Sequence, residues 1–228
     1  PLNRAIFGFN ETVDHLVLRP AGEAYDAMPQ FAQDAVRNFL RNLKSPIIFL
    51  NDLLQGNTKA ASETLGRFMF NTLAGAGGIA DVAGDAGIPY HSEDFGQTLA
   101  VWGVSEGPYL VLPILGPSNM RDTTGLVVDS LADPVNHAAR NTDEDWVPIT
   151  RTAVEGIDFR ARNLKTIDDL RDTSLDFYAT VRSLYRQHRN NLINNGADDT
   201  VVPGSTELNL DDEELEEDDQ EPKISLTD

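Results

Sequence analysis

Cysteine is absent from the 228 residues, which excludes disulfides, thiolate metal sites and thiol nucleophiles and leaves the compartment undecided. Long apolar runs are absent too. Nothing approaches the roughly 18 apolar residues of a bilayer-spanning helix, and the longest run, residues 109–115, is broken by Pro113. Pro1-Leu2-Asn3-Arg4 is not a charged-then-apolar leader, so the chain is either cytosolic or begins after a processed one. Basic residues are scarce, 18 Lys and Arg against 37 Asp and Glu, a net of −19. Phosphate-backbone recognition needs clustered cations, so nucleic acid is not an expected partner. An anionic lipid surface would repel such a body as well. A membrane position therefore requires apolar burial, a lipid anchor or a protein partner.

Catalytic and metal-binding constellations are equally thin. His15, His91, His137 and His188 stand far apart, none at ligand spacing from another histidine or a carboxylate, so no metal site is expected. No Gly-x-Ser-x-Gly elbow occurs. Asp122, Asp129, Asp133 and the pair Asp168-Asp169 read as solvated or helix-capping carboxylates, since a catalytic couple needs a shared, shielded site. Gly75-Ala76-Gly77-Gly78 resembles a phosphate loop only superficially. It follows a helical stretch rather than a strand and lacks the terminal Lys-Ser or Lys-Thr, so a helix stop and tight turn is the better reading. No cofactor is implied, and the chain does not read as an enzyme.

What is present is helical periodicity. Ile6, Phe9, Val13, Leu16 and Val17 mark a first helix that Arg19-Pro20 is expected to end. Phe31, Ala35, Phe39, Leu40 and Leu43 stripe a second, starting near Pro29. Ser45-Pro46 reads as the capped start of a third helix, residues 46–55, and Asn57 caps a fourth carrying Leu65, Phe68, Met69 and Leu73. Short glycine-punctuated turns follow, then a short helix over residues 94–102. Residues 103–112 form a loop or small hairpin, the one credible β-structure. Later helices are expected from Ser118 to Asp129, over 148–164 and over 174–195, with Gly196 as the stop. Residues 1–196 carry 17 basic and 24 acidic residues, whereas the segment from Ala197 carries one basic and 13 acidic. That segment repels itself and reads as a disordered acidic tail after a single helical body.

Two segments admit two readings each. The helix over 46–55 is apolar on most faces, through Ile47, Ile48, Phe49, Leu50, Leu53 and Leu54. It is either buried in a core, which such apolarity ordinarily favours, or laid in a bilayer interface. Gly103 and Gly107 flank a loop that is either an ordinary turn or a hinge.

Several stretches together resemble the MlaA (VacJ) family of outer-membrane lipoproteins. They are Asn3-Arg4 with Phe7 and Phe9-Asn10, then Phe39-Leu40-Arg41-Asn42-Leu43, then Asn51-Asp52-Leu53-Leu54-Gln55-Gly56. Arg67-Phe68-Met69-Phe70-Asn71-Thr72 follows, running into Gly77-Gly78-Ile79-Ala80-Asp81-Val82-Ala83. Then come Asp94-Phe95-Gly96-Gln97-Thr98-Leu99, Trp102-Gly103-Val104, residues 107–113, Arg121-Asp122 and Tyr185-Arg186-Gln187-His188-Arg189. The resemblance implies an all-α, ring-shaped body with a central channel, seated in the periplasmic leaflet of the outer membrane. It implies removal of mislocalised phospholipid from the outer leaflet and delivery to the periplasmic carrier MlaC, alongside a trimeric porin. An acylated cysteine is implied ahead of Pro1 in the full-length precursor. On this reading Gly103, Val104 and Gly107 form a channel hinge loop, Arg67 and Arg121 are candidates for head-group contact, and Ile47, Ile48, Phe49, Leu50 and Leu54 face the membrane. The acidic tail is free to stay solvated or to guide a basic carrier by charge. A soluble periplasmic adaptor is the rival reading.

Overall fold

The computed structural model describes residues 1–194; the acidic segment from Ala197 and the expected stop at Gly196 lie outside them. Helices make up about three-quarters of the described chain, with one small hairpin among turns and loops.

Two expected helix ends are not ends. α1 (Leu2–Val13) passes through a π-turn (Asp14–Leu18) straight into α2 (Arg19–Asp26). Pro20 follows the π-turn directly, and that wider turn accommodates the ring and the missing N–H inside the continuous helical run. Likewise α3 runs unbroken over Gln30–Leu54 with Pro46 inside it. An internal proline costs about 3 kcal/mol. Ser45, Ile47 and Ile48 are buried beside it, and α3 packs along α4 (Thr58–Leu73), so tertiary packing outweighs the local preference. Ser45 is no N-cap; its hydroxyl donates back to the Arg41 carbonyl at 3.2 Å. Asn57 does cap α4, accepting from the Ala60 N–H at 3.1 Å, and residues 75–78 form the turn that follows.

After α5 (Val82–Asp85) comes α6 (Phe95–Val101), capped by Asp94. β1 (Tyr109–Leu112) and β2 (Gly116–Asn119) pair antiparallel, Tyr109 opposite Asn119 and Leu112 opposite Gly116. Asn119, not Ser118, caps α7 (Met120–Ala132) by accepting from the Asp122 N–H at 2.7 Å. α8 (Pro134–Asn141), α9 (Trp146–Arg162), α10 (Leu164–Thr173) and α11 (Phe177–Ile193) complete the described chain. α8 and α10 escape a periodicity reading because they are only eight and ten residues long.

The helices close a circuit. α3 packs on α6, α6 on α7, α7 on α8, α8 on α9, and α9 returns to α3. The α6–α7 step is made possible by glycine: a Cβ on Gly125 would fall 2.2 Å from the Gly96 nitrogen. α4 braces α3 from outside, α2 lies on α9, and α11 supports α6 and β2.

Candidate functional site

Burial runs opposite to that of an ordinary water-soluble domain. Among the described residues 18 polar or charged side chains are buried against nine apolar ones, whereas interiors are normally apolar. The largest fully buried side chains are Ile48, Gln97, Asn51, Asn163, Thr98 and Asp52. Buried polar groups cost free energy unless partnered, and here the partners come from neighbouring elements.

Asn51 on α3 donates to Asp129 on α7 at 3.0 Å and accepts from Thr98 on α6 at 2.8 Å; the Phe95 N–H also donates to Asp129, at 2.9 Å. Beside this node Asp52 accepts from Thr64 on α4 at 2.7 Å and lies 3.0 Å from His91 Nε2. A histidine does therefore meet a carboxylate, across 39 residues of sequence that no local spacing reveals. Thr64 and Asp52 both reach the same ring nitrogen, so the trio lacks the two-nitrogen relay of a nucleophilic triad. The bond to Asp52 raises the His91 pKa against the opposing effect of burial. Burial, with Asp52 and Asp94 nearby, pushes Glu93 up to about 7. Burial alone would raise Asp94 as well, but its bonds to Arg189 on α11 bring it down to about 2.

Of the carboxylates read as solvated or helix-capping, Asp133 is a helix cap, and most are in addition internal. Asp122 binds Arg121 and Arg189, and Asp168 lies 3.1 Å from Arg160. Asp133 caps α8 through the Val135 N–H at 2.8 Å and also holds Arg151 at 2.6 Å. They are internal because helices of a closed circuit need charged cross-links where an apolar core is missing. Arg67 and Arg121, the residues expected at a head group, are buried in the same manner. Arg67 donates to Asp81 at 2.7 Å and to the Ile88 carbonyl, and Arg121 donates to Asp122 at 3.0 Å. Their guanidinium groups meet protein carboxylates and carbonyls.

Where α3 and α9 close the circuit lies a cavity of about 200 Å³. Arg37, Leu40, Arg41 and Lys44 of α3 form one wall, Tyr90 and Ser92 the floor, and Glu155, Asp158 and Arg162 of α9 the other wall. Burial works against the Lys44 ammonium, yet Tyr90, Glu155, Asp94 and Asp129 together raise its pKa. Those four groups belong to the floor, to α9, to the α6 cap and to α7, so Lys44 faces the middle of the circuit. Sequence reading passed over this wall, although Arg37, Arg41 and Lys44 at i, i+4 and i+7 share a helix face.

The loop after α6 leaves Gly103, Val104 and Ser105 exposed. Gly103 has φ +86 and Gly107 φ +67, a region that favours glycine at both ends of the segment. Beyond Gly107 the hairpin is fixed to α1. Asn3 donates to the Tyr109 carbonyl at 2.8 Å and accepts from the Val111 N–H at 3.2 Å; Asn10 does the same for Leu112 at 2.9 Å and Ile114 at 2.8 Å. The two asparagines, seven residues and two helical turns apart, stand in the family-like stretches, but no local spacing marks them as partners of the hairpin. They clamp the hairpin in a fixed place beside the loop.

The exterior carries the apolar side chains. Leu65, Met69 and Leu73 on α4, Val127 and Leu131 on α7, and Trp102, Ile114, Trp146 and Ile149 are all exposed, Leu73 at 79% and Ile149 at 71%. On α3 the expected outward set divides. Leu50 and Leu54 are exposed together with Leu53, Phe49 is half-buried, and Ile47 and Ile48 turn inward at 4% and 1% exposure. Helical geometry sends neighbours about 100° apart, so one helix cannot present all five on one side. Among the described residues no helix is long and apolar enough to cross a membrane.

Comparison with known proteins agrees with this architecture. The family model described as MlaA lipoprotein matches residues 1–192. The chain is 34% identical over 200 residues to the intermembrane phospholipid transport system lipoprotein MlaA of Escherichia coli, covering 85% of this chain and 77% of that protein. Its identity to the protein of the same name from Haemophilus influenzae is 32%, covering 85% and 78%. An uncharacterized Rickettsia bellii protein is 38% identical over 82% of this chain and 72% of its own. A solved chain from work on the structural basis for maintenance of bacterial outer membrane lipid asymmetry matches with a TM-score of 0.75 at 35% identity, covering 85% of this chain and 98% of that one. With the family model matched over residues 1–192 and named relatives above 30% identity, the chain belongs to the MlaA lipoprotein family.

Proposed function

We propose that this protein transports phospholipid in a Gram-negative outer membrane, seated in the periplasmic leaflet with its circuit of helices surrounding a channel. The observation that carries the reading is the inverted burial: exposed leucine, methionine, tryptophan and isoleucine outside, paired polar side chains inside. An exposed apolar surface of this extent marks contact with membrane or partner. Helices satisfy their own backbone groups in hydrocarbon, and the hydrogen-bonded interior offers a lipid head group a wet route. The acyl chains meanwhile stay outside in the leaflet.

No covalent chemistry is needed. Misplaced phospholipid in the outer leaflet enters by its head group, and the protein lowers the desolvation barrier to its passage. A periplasmic carrier of the MlaC kind takes the lipid away, and that removal gives the direction. Gly103, Val104 and Gly107 act as the hinge at the channel, swinging against a hairpin that Asn3 and Asn10 hold still. A trimeric porin is the membrane partner, and acylation of the full-length precursor supplies the anchor.

Outer-leaflet phospholipid, measured in the native host with and without the gene and rescued by the full-length lipidated protein, tests this directly. A rise on deletion that rescue reverses is expected. An unchanged outer leaflet would overturn the transport reading and leave a periplasmic adaptor in its place.

A further inference from the structure

The cavity between α3 and α9 reverses the sign of the molecule. The body of residues 1–196 carries 24 acidic and 17 basic residues, yet the cavity is lined by four cations, Arg37, Arg41, Lys44 and Arg162, and two carboxylates, Glu155 and Asp158. A concentration of one sign in a low-dielectric recess focuses the field on ligands of the other. Both carboxylates are already engaged. Asp158 accepts from Arg162 at 3.1 Å and lies 3.7 Å from Arg37, and Glu155 lies 3.2 Å from Arg151. Lys44, by contrast, forms no ion pair within 4.0 Å among the described residues. Its positive charge is maintained by groups at longer range: Tyr90, Glu155, Asp94 and Asp129. Of these, Asp94 is committed to Arg189 and Asp129 to Asn51 and the Phe95 N–H. The Arg41 guanidinium lies 4.3 Å from the centroid of the Tyr90 ring, a cation–π contact beside the floor of the cavity. The cavity, about 200 Å³, exceeds the space one water needs by roughly an order of magnitude.

We infer that this cavity is a phosphate site in which Arg41 and Lys44 hold the phosphodiester of a phospholipid in transit, with a preference for head groups of net negative charge. The inference rests on the reading of the chain as a phospholipid transporter and adds to it a place and a selectivity. A phosphodiester is a planar-fork and point-charge target that Arg and Lys suit in complementary ways. A zwitterionic head would bring an ammonium into a recess of surplus positive charge, whose two carboxylates arginines already hold. A glycerol head brings only hydroxyls, which Ser92 and Glu155 can receive.

The test uses the purified protein in detergent and in vesicles. Calorimetry with three soluble probes separates the sources: inorganic phosphate, glycerophosphoglycerol and glycerophosphoethanolamine. Glycerophosphoglycerol is expected to bind most tightly, and Lys44→Gln to weaken it by about tenfold, as for loss of one charge-assisted bond. Lys44→Arg should retain binding, and Lys59→Gln, an exposed control, should leave it unchanged. If Lys44→Gln disturbs the fold by circular dichroism, Arg41→Gln carries the same expectation.

Inorganic phosphate binding as well as the diester, or equal binding of both diesters, would overturn the lipid selectivity. Unchanged binding in the correctly folded Lys44→Gln and Arg41→Gln proteins would overturn the site. Vesicles of phosphatidylglycerol or phosphatidylethanolamine then separate the two levels. Lipid extraction that is indifferent to Lys44→Gln defeats the site and leaves transport standing. Diester binding without extraction of any lipid defeats the transport reading on which the proposal rests.

Discussion

Arg189 grips both oxygens of Asp94, Nη1 to Oδ2 at 2.6 Å and Nη2 to Oδ1 at 3.0 Å, and reaches Asp122 with a further bond at 3.1 Å. One side chain of α11 thereby bolts the cap of α6 to the first turn of α7. Removing one partner of a buried pair strands the other charge, at a typical cost of about 3–5 kcal/mol. Arg189→Met is expected to lower the unfolding free energy by about 3 kcal/mol, read by denaturant titration in detergent. A change within about 0.5 kcal/mol, as at a plain surface site, would show that the bolt adds nothing to stability.

Glu93 and Asp94 are neighbours with opposite responses to pH. Asp94 is depressed from 3.8 to about 2, so its contribution is present above pH 3.8 and is lost as pH falls toward 2. Glu93 is raised from 4.5 to about 7, so its contribution is present below pH 4.5 and is lost as pH rises through about 7. Glu93→Gln abolishes that loss. The variant should match the parent near pH 4.5 and exceed it above pH 7 by up to about 3 kcal/mol, at 1.36 kcal/mol per pKa unit. Parallel stability curves across that window would contradict the assignment.

Met69 lies on the outer face of α4, 52% exposed between Leu65 and Leu73. Met69→Glu should change stability in detergent by no more than about 0.5 kcal/mol, while a charge facing hydrocarbon is expensive. The expected result, on the proposed membrane seating, is a smaller share of protein in the membrane fraction of cells, measured by fractionation of the chain that begins at Pro1. An undiminished share would remove α4 from the membrane face.

Gly103→Val places a β-branched residue at φ +86 with open space around its Cβ, so backbone strain of about 1–3 kcal/mol is the whole effect. Transport should fail, while circular dichroism and porin co-purification stay at parental levels. Normal outer-leaflet lipid in the variant would rule out the hinge.

Asn10→Ala deletes two bonds to the tip of the hairpin, each worth about 1 kcal/mol. Amide exchange at Ile114 should accelerate relative to that at Ala5 in α1. Equal acceleration at both would mean that the substitution loosens the whole N-terminal helix.

A loop or hairpin is legible over 103–112, but only its strand 109–112 lies there. The partner strand Gly116–Asn119, with no apolar alternation, reads in part as the start of a helix. The helical class follows from periodicity, because that signal is local. Pro20 and Pro46 mislead for the same reason: a proline reads as a boundary, but a π-turn and tertiary packing override it. Ile47 and Ile48 were indistinguishable from Leu50 and Leu54 by composition, since only the position of the partner helix decides which side is inside. The Asp52–His91 contact and the Asp94–Arg189 grip join residues 39 and 95 apart, beyond the reach of spacing. Arg37, Arg41 and Lys44 are legible as a helical stripe, but only the packing of α9 against α3 turns that stripe into a cavity wall.

The inverted burial has a calorimetric consequence. Heat capacity of unfolding rises with newly exposed apolar area and falls with newly exposed polar area. A fold whose interior is asparagine, threonine, aspartate and arginine exposes much of the latter and little of the former. Its stability curve should be flat, with a weak maximum and shallow cold and warm flanks, and its denaturant sensitivity should be low for its length. In the proposed membrane setting, the solvation change on assembly falls at the outer surface, so the surrounding medium, more than the interior, would set the temperature range of the folded state.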